Sequence, residues 1–178
     1  EEDTFQEKLK AAGDDVQAIA ALAKDCAERA ARYEDAALVS MAQKINRREL
    51  QVRAQALGPD DHAARFDLAQ RFRGQAKDDA SAIGLYSIVY EEAKAPEALR
   101  TQAQEALLSL RAVRIRQGRD SWGWVTYGEF KRSEGYLPRK EDGRIVYVRR
   151  EYAELLEVVE EETKRQAVKI DPPRQNPF

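Results

Sequence analysis

The sequence predicts a mainly α fold of stacked antiparallel helical hairpins, finished by a small C-terminal β-hairpin and a final helix. Three observations carry this expectation. Apolar residues recur at i, i+3, i+4 and i+7 through most of the first two thirds of the chain. Alanine is concentrated in the same stretch, with 23 of 28 alanines in the first 100 residues, whereas 8 of the 14 aromatic residues lie beyond residue 120. Finally, 35% of the 178 residues are charged against 43% hydrophobic, a balance that suits thin layers of amphipathic helix better than a thick core.

The elements follow in order. Phe5 and Leu9 mark a short leading helix in which Thr4 and Glu7 have capping-box spacing. Gly13 stops it, and Asp14 or Asp15 caps a helix of about residues 15 to 32 whose stripe is Val16, Ile19, Ala20, Ala23, Cys26, Ala27 and Ala30. A second stripe, Leu38, Met41, Ala42, Ile45 and Val52, runs from about Glu34 to Gly58-Pro59, and the short link between the two implies an antiparallel hairpin. Asp60-Asp61 should cap a third long helix with Ala64, Leu68, Ala69 and Phe72 inward, ended by Gly74. Asp78-Asp79 start a fourth with Ala82, Ile83, Tyr86, Val89 and Tyr90. Pro96 opens a fifth, whose stripe of Leu99, Ala103, Ala106, Leu107, Leu110 and Val113 extends toward Gly118. Neither hairpin can bury its stripe alone, so they should stack side by side.

Residues 62 to 96 resemble a tetratricopeptide repeat. Leu68, Ala69 and Phe72 look like the family's positions on its first helix, Ala82, Tyr86 and Val89 like those on its second, and Pro96 closes the unit. Matching both helices requires one extra residue in the turn from Gln75 to Asp79. The resemblance implies a tetratricopeptide-like scaffold that offers a concave surface to a protein or peptide, lined by the first helix of each pair. It makes Arg65, Gln70, Arg71 and Arg73 candidates for contacts with a partner's carboxylates. A solvated helix face is the plain alternative.

The chain changes character near Gln117-Gly118, which predicts a division into a helical stack (1–118), an aromatic module (119–170) and a Pro-rich tail (171–178). In the module, Thr126 and Glu129 have capping-box spacing for a short helix from Tyr127. Residues 136 to 141 and 144 to 148 flank Asp142-Gly143, a strong hairpin signal that pairs Glu141 with Arg144, Pro138 with Tyr147 and Leu137 with Val148. A last helix is expected from about Arg150 to Gln166, with Tyr152, Leu155, Leu156 and Val159 on one face. Residues 122 to 148 resemble short Trp-Val-Thr/Ser-x-x-Glu-Phe/Tyr modules that trail tetratricopeptide-like helices in uncharacterised exported bacterial proteins. That likeness implies export and no activity. Trp122, Trp124 and Tyr127 are either the module's miniature core or an aromatic surface that binds a glycan or other cell-envelope polymer.

The rare residues restrict chemistry. One His (His62), one Cys (Cys26) and one Met (Met41) leave no donor set for a multi-His/Cys metal, haem or iron-sulfur site. No Walker or dinucleotide-type glycine loop is present, so neither a cofactor nor catalytic residues are expected. His62 reads as an exposed first-turn residue and Cys26 as a buried thiol. The net charge of −2 argues against a dedicated nucleic-acid binder. It conceals local opposites, an Arg-rich junction (Arg111, Arg114, Arg116, Arg119) and a Glu-rich final helix (Glu154, Glu157, Glu160, Glu161, Glu162). No apolar run approaches the ~18 residues needed to span a bilayer. The chain begins without Met, which leaves export open.

Overall fold

The computed structural model describes residues 2–116, 122–141, 143–153, 155, 159 and 161. The chain divides into two compact units, Glu1–Thr126 and Tyr127–Phe178. This boundary falls later than the expected one near 118, because the Trp122–Val125 segment pairs with a strand of the first unit.

The first unit is a helical stack. α1 (Glu2–Ala12) leads into α2 (Val16–Tyr33) and α3 (Ala36–Gln55). Asp15 accepts hydrogen bonds from the backbone N–H of Gln17 and Ala18, and Asp35 from those of Ala37 and Leu38. Each cap satisfies two otherwise orphaned donors at a helix start. Between the two helices, Glu34 takes the left-handed conformation (φ 49°) that turns the chain back within two residues. Ile19, Ala23, Cys26 and Ala30 of α2 then bury against Leu38, Met41, Ala42 and Ile45 of α3, with Phe5 of α1 joining this core. The small alanine faces let the backbones approach closely. α1 begins at Glu2, so Thr4 lies inside its first turn and is not the cap that its spacing with Glu7 predicts.

The second hairpin pairs α4 (His62–Arg71) with α5 (Asp79–Glu91), and α6 (Glu97–Ser109) packs beside it. Leu50, Phe66, Leu68, Ala69, Phe72, Ala82, Ile83, Tyr86, Val89, Ala103 and Leu107 form its core. Asp78 caps α5, accepting from the Ser81 backbone N–H and hydroxyl. Three local expectations change. Asp61 does not cap α4 with its side chain, which accepts from the Gly58 backbone N–H at 2.8 Å. Gly74 does not stop the helix; a π turn (Phe72–Ala76) runs through it and ends at Lys77, which is left-handed at φ 52°. Pro96 is the N-cap of α6 rather than its first helical residue.

The largest departure lies after α6. The helix closes at Ser109, where Arg111 turns left-handed (φ 51°) and the Ala112 N–H donates to the Leu107 carbonyl at 3.0 Å. Val113 belongs to a strand, β1 (Val113–Arg116), that pairs antiparallel with β2 (Trp122–Val125). Residues 117 to 121 between them lie outside the described residues. The side chains alternate as a ribbon requires, with Val113 and Ile115 on one face and Arg114 and Arg116 on the other.

The second unit consists of α7 (Tyr127–Ser133) and a hairpin of β3 (Tyr136–Glu141) with β4 (Arg144–Arg149), followed by a helical start at Arg150. The register is the expected one: Glu141 faces Arg144, Pro138 faces Tyr147 and Leu137 faces Val148. Gly143 has φ +77°, a conformation that a β-branched residue adopts only under strain. Gly143→Val should therefore destabilise this unit by about 1–2 kcal/mol. Unchanged hydrogen-exchange protection of the β3 and β4 amides in that variant would mean the turn does not hold the hairpin. Of the expected final helix, residues 150–153, 155, 159 and 161 are helical. Leu156, most of the Glu-rich run and the Pro-rich tail lie outside the described residues.

Candidate functional site

The four polar candidates on and beside α4 separate into three roles. Arg65 reaches back to its own loop, donating to the Pro59 carbonyl at 2.7 Å and to the Gly58 carbonyl, and so closes the entry to α4. Arg71 is an anchor. Its Nη2 donates to both oxygens of Glu49 on α3, at 3.1 and 2.9 Å, and its Nε to Gln75 Oε1 in the π turn. Gln70 and Arg73 are the two that line the cleft between α4 and α6.

That cleft, of about 650 Å³, runs between α4 with its π turn and α6. Phe66 and Tyr86 meet edge to face on its α4 and α5 side, with ring centroids 5.2 Å apart. Burial pushes the Tyr86 phenol up, and the nearby Arg73 guanidinium opposes that shift. The exposed side chains of Gln70, Arg73 and Lys77 stand on one side and those of Gln102 and Glu105 on the other. Arg73 Nη1 donates to Ser109 Oγ at 3.2 Å, joining the two walls at one end. The π turn matters here, because a wider turn inserts one residue and shifts the side chains after it around the helix axis. It carries Arg73 and Gly74 to the cleft, with Lys77 just beyond.

A second cleft, of about 690 Å³, opens on the other flank of α4. Leu57, Ala64 and Leu68 supply apolar surface, and Arg53, Arg71 and Asp67 supply charge. Behind it sits Glu49, only 2% exposed, held by Arg53 Nε and Arg71 Nη2. Sequence reasoning passed over Glu49 and Arg53, although the signal was there. Glu49 falls four residues after Ile45, on the buried stripe of α3, where an acidic residue needs a partner.

The aromatic candidates also divide. Trp124 is partly buried against the second core, edge to face with Tyr90 at 6.0 Å, and its indole N–H donates to Glu91 Oε1 at 3.0 Å. Arg114 also reaches Glu91, at 3.5 Å. Trp122, on the same face of the ribbon, is 53% exposed, and the Arg114 guanidinium stacks on it at 5.7 Å. Tyr127 belongs to the second unit. It packs edge to face on Tyr147 at 5.6 Å, and Lys131 lies 5.5 Å from its ring centre.

His62 is buried, at 6% exposure, and not the exposed residue its position suggested; among the described residues its Nδ1 has no hydrogen-bond partner. Burial pushes the Cys26 thiol up, and Sγ donates to the Leu38 carbonyl, the setting of an inert structural thiol. Among the described residues, no three His, Cys, Asp or Glu side chains converge as a metal site, and no helix is long and apolar enough to cross a membrane. Compared with protein-family models, with curated proteins and with solved structures, the chain matches none.

Proposed function

We propose that the chain is a non-catalytic scaffold that binds a protein or peptide segment in the cleft between α4 and α6. The carrying observation is the composition of that cleft: an amide on each wall, Gln70 and Gln102, and an aromatic pair, with the cations Arg73 and Lys77 on the α4 side and Glu105 on the α6 side. Amides on opposite walls suit the donors and acceptors of an extended main chain, and the cations suit a carboxylate. Tetratricopeptide-like stacking supports the same reading. A π turn, Phe72–Ala76, leads into the connection where matching that pattern needs one extra residue, and such bulges recur at functional sites.

The test is to compare the partners captured from the native source by the wild type and by Gln70→Trp, a change at an exposed position that fills the cleft without touching the core. The same partner should be lost about ten-fold or more in the variant. Equal recovery would overturn the assignment of the cleft.

Binding of a glycan or cell-envelope polymer is the second reading. The exposed face of Trp122 favours it, since indoles stack on sugar rings. It now rests on a narrower base, because Trp124 is engaged with α5.

A further inference from the structure

The two clefts lie on opposite flanks of α4. At 100° per residue, Ala63, Asp67 and Gln70 form the exposed ridge of α4. Phe66 and Arg73 lie to one side of that ridge, and Ala64, Leu68 and Arg71 to the other. A segment seated in the first cleft and continuing across α4 therefore enters the second.

The second cleft holds a pre-set cationic pair. A carboxylate buried as deeply as Glu49 is stabilised only by close hydrogen-bonded partners, and apolar packing of the same volume generally does as well or better for stability. What the carboxylate adds is position. It fixes the Arg53 guanidinium through Nε alone, so among the described residues both terminal amines of Arg53 stay unpaired beside Leu57 and Leu68. Arg71 spends Nε and Nη2 and keeps Nη1. Planar donors held in this way match a carboxylate. Asp67, on the ridge itself, repels a further negative charge placed between the clefts.

We infer that the partner segment is an extended acidic peptide read at two points, with one carboxylate at Arg73 and Lys77 and a second at Arg53 and Arg71, the latter pair positioned by Glu49. The inference rests on the peptide-binding reading of the first cleft. A helix with its side chains is about 10–12 Å across, and an extended chain advances about 3.3 Å per residue, so two acidic residues three apart span about that width. The residues between them are not acidic.

Fluorescence anisotropy at low ionic strength tests this with short acetylated and amidated peptides of one composition. They carry two Glu residues either three apart or adjacent, or Gln in place of both. The spaced peptide should bind about ten-fold more tightly than the adjacent one. Arg53→Gln should bring the spaced peptide down to the affinity of the adjacent one. Asp67→Asn, at an exposed site whose side chain makes no hydrogen bond or ion pair among the described residues, should improve binding of a peptide with an added acidic residue between the two anchors, and it tests the path across α4 even if Arg53→Gln melts early. Equal binding of the spaced and adjacent peptides, with both lost in Arg73→Gln, overturns the two-point inference and leaves the first cleft standing. No binding by any peptide overturns the inference as well. In that case the Gln70→Trp capture comparison still decides separately whether the first cleft binds a partner.

Discussion

Replacing Glu49 with Ala should destabilise the first unit by about 2–3 kcal/mol, lowering its melting temperature by about 10 °C. The carboxylate is almost fully buried on α3, yet it accepts from Arg53 of its own helix and from Arg71 of α4. It thus ties the first hairpin to the second, beside the Arg47 Nε–Asp78 ion pair at 2.8 Å that joins α3 to the cap of α5. Removing one member of a buried pair costs about 3–5 kcal/mol when the survivor stays buried. Here the survivors are arginines whose side chains are 35% and 44% exposed, so they regain water and the loss falls below that range. The converse change is harsher for its size: Arg71→Met leaves Glu49 buried with Arg53 alone. A double variant, Glu49→Leu with Arg71→Met, should recover most of the stability by replacing the pair with apolar contact across α3 and α4. Urea unfolding of the wild type, Glu49→Leu, Arg71→Met and the double variant closes the cycle. If the double variant is as unstable as the sum of the singles, the pair is not what couples the hairpins.

This pair also shows where sequence reasoning stops. The helices of both hairpins were legible, because their stripes repeat at helical spacing and Asp15 and Asp78 stand at the starts they cap. The β3–β4 register was legible down to single pairs, since Asp142-Gly143 permits one two-residue connection between alternating strands. The β1–β2 ribbon was not. Val113 lies three residues after Leu110 and so continues the helical stripe, and the chain leaves the helix through Arg111, whose side chain does not announce a left-handed turn. Gly74 misled in the opposite sense. A glycine near a helix end reads as a stop, but a π turn runs through Gly74, and the reversal falls on Lys77. Of the arginines singled out, spacing placed all of them on or beside α4. The Gly58-Pro59 carbonyls, Glu49 on α3 and the approach of α6 separate the loop clamp (Arg65) and the anchor (Arg71) from Arg73, which lines the cleft against α6.

The two tryptophans, alike in the sequence, should behave oppositely. Trp124→Ala removes a ring packed on Tyr90 and the indole donor to Glu91, and the side chain is part of the surface that seals the ribbon against α5. Truncating a half-buried aromatic with a hydrogen bond should cost about 2–3 kcal/mol, below the ~3–5 kcal/mol of a fully buried one. Trp122→Ala exchanges an exposed ring for solvent and should stay within about 0.5 kcal/mol. Because these are the only two tryptophans, each variant leaves a single fluorophore. Trp122→Ala should retain the bluer emission of a packed indole, which reddens only when the stack unfolds, and Trp124→Ala should show the red emission of a hydrated one from the start. If a glycan ligand shifts the emission of Trp122 in the Trp124→Ala protein, the ribbon face is a binding surface. If the stability losses are reversed, with Trp122 the costly ring, the ribbon does not seal the helical stack and the assignment of Trp124 to its core fails.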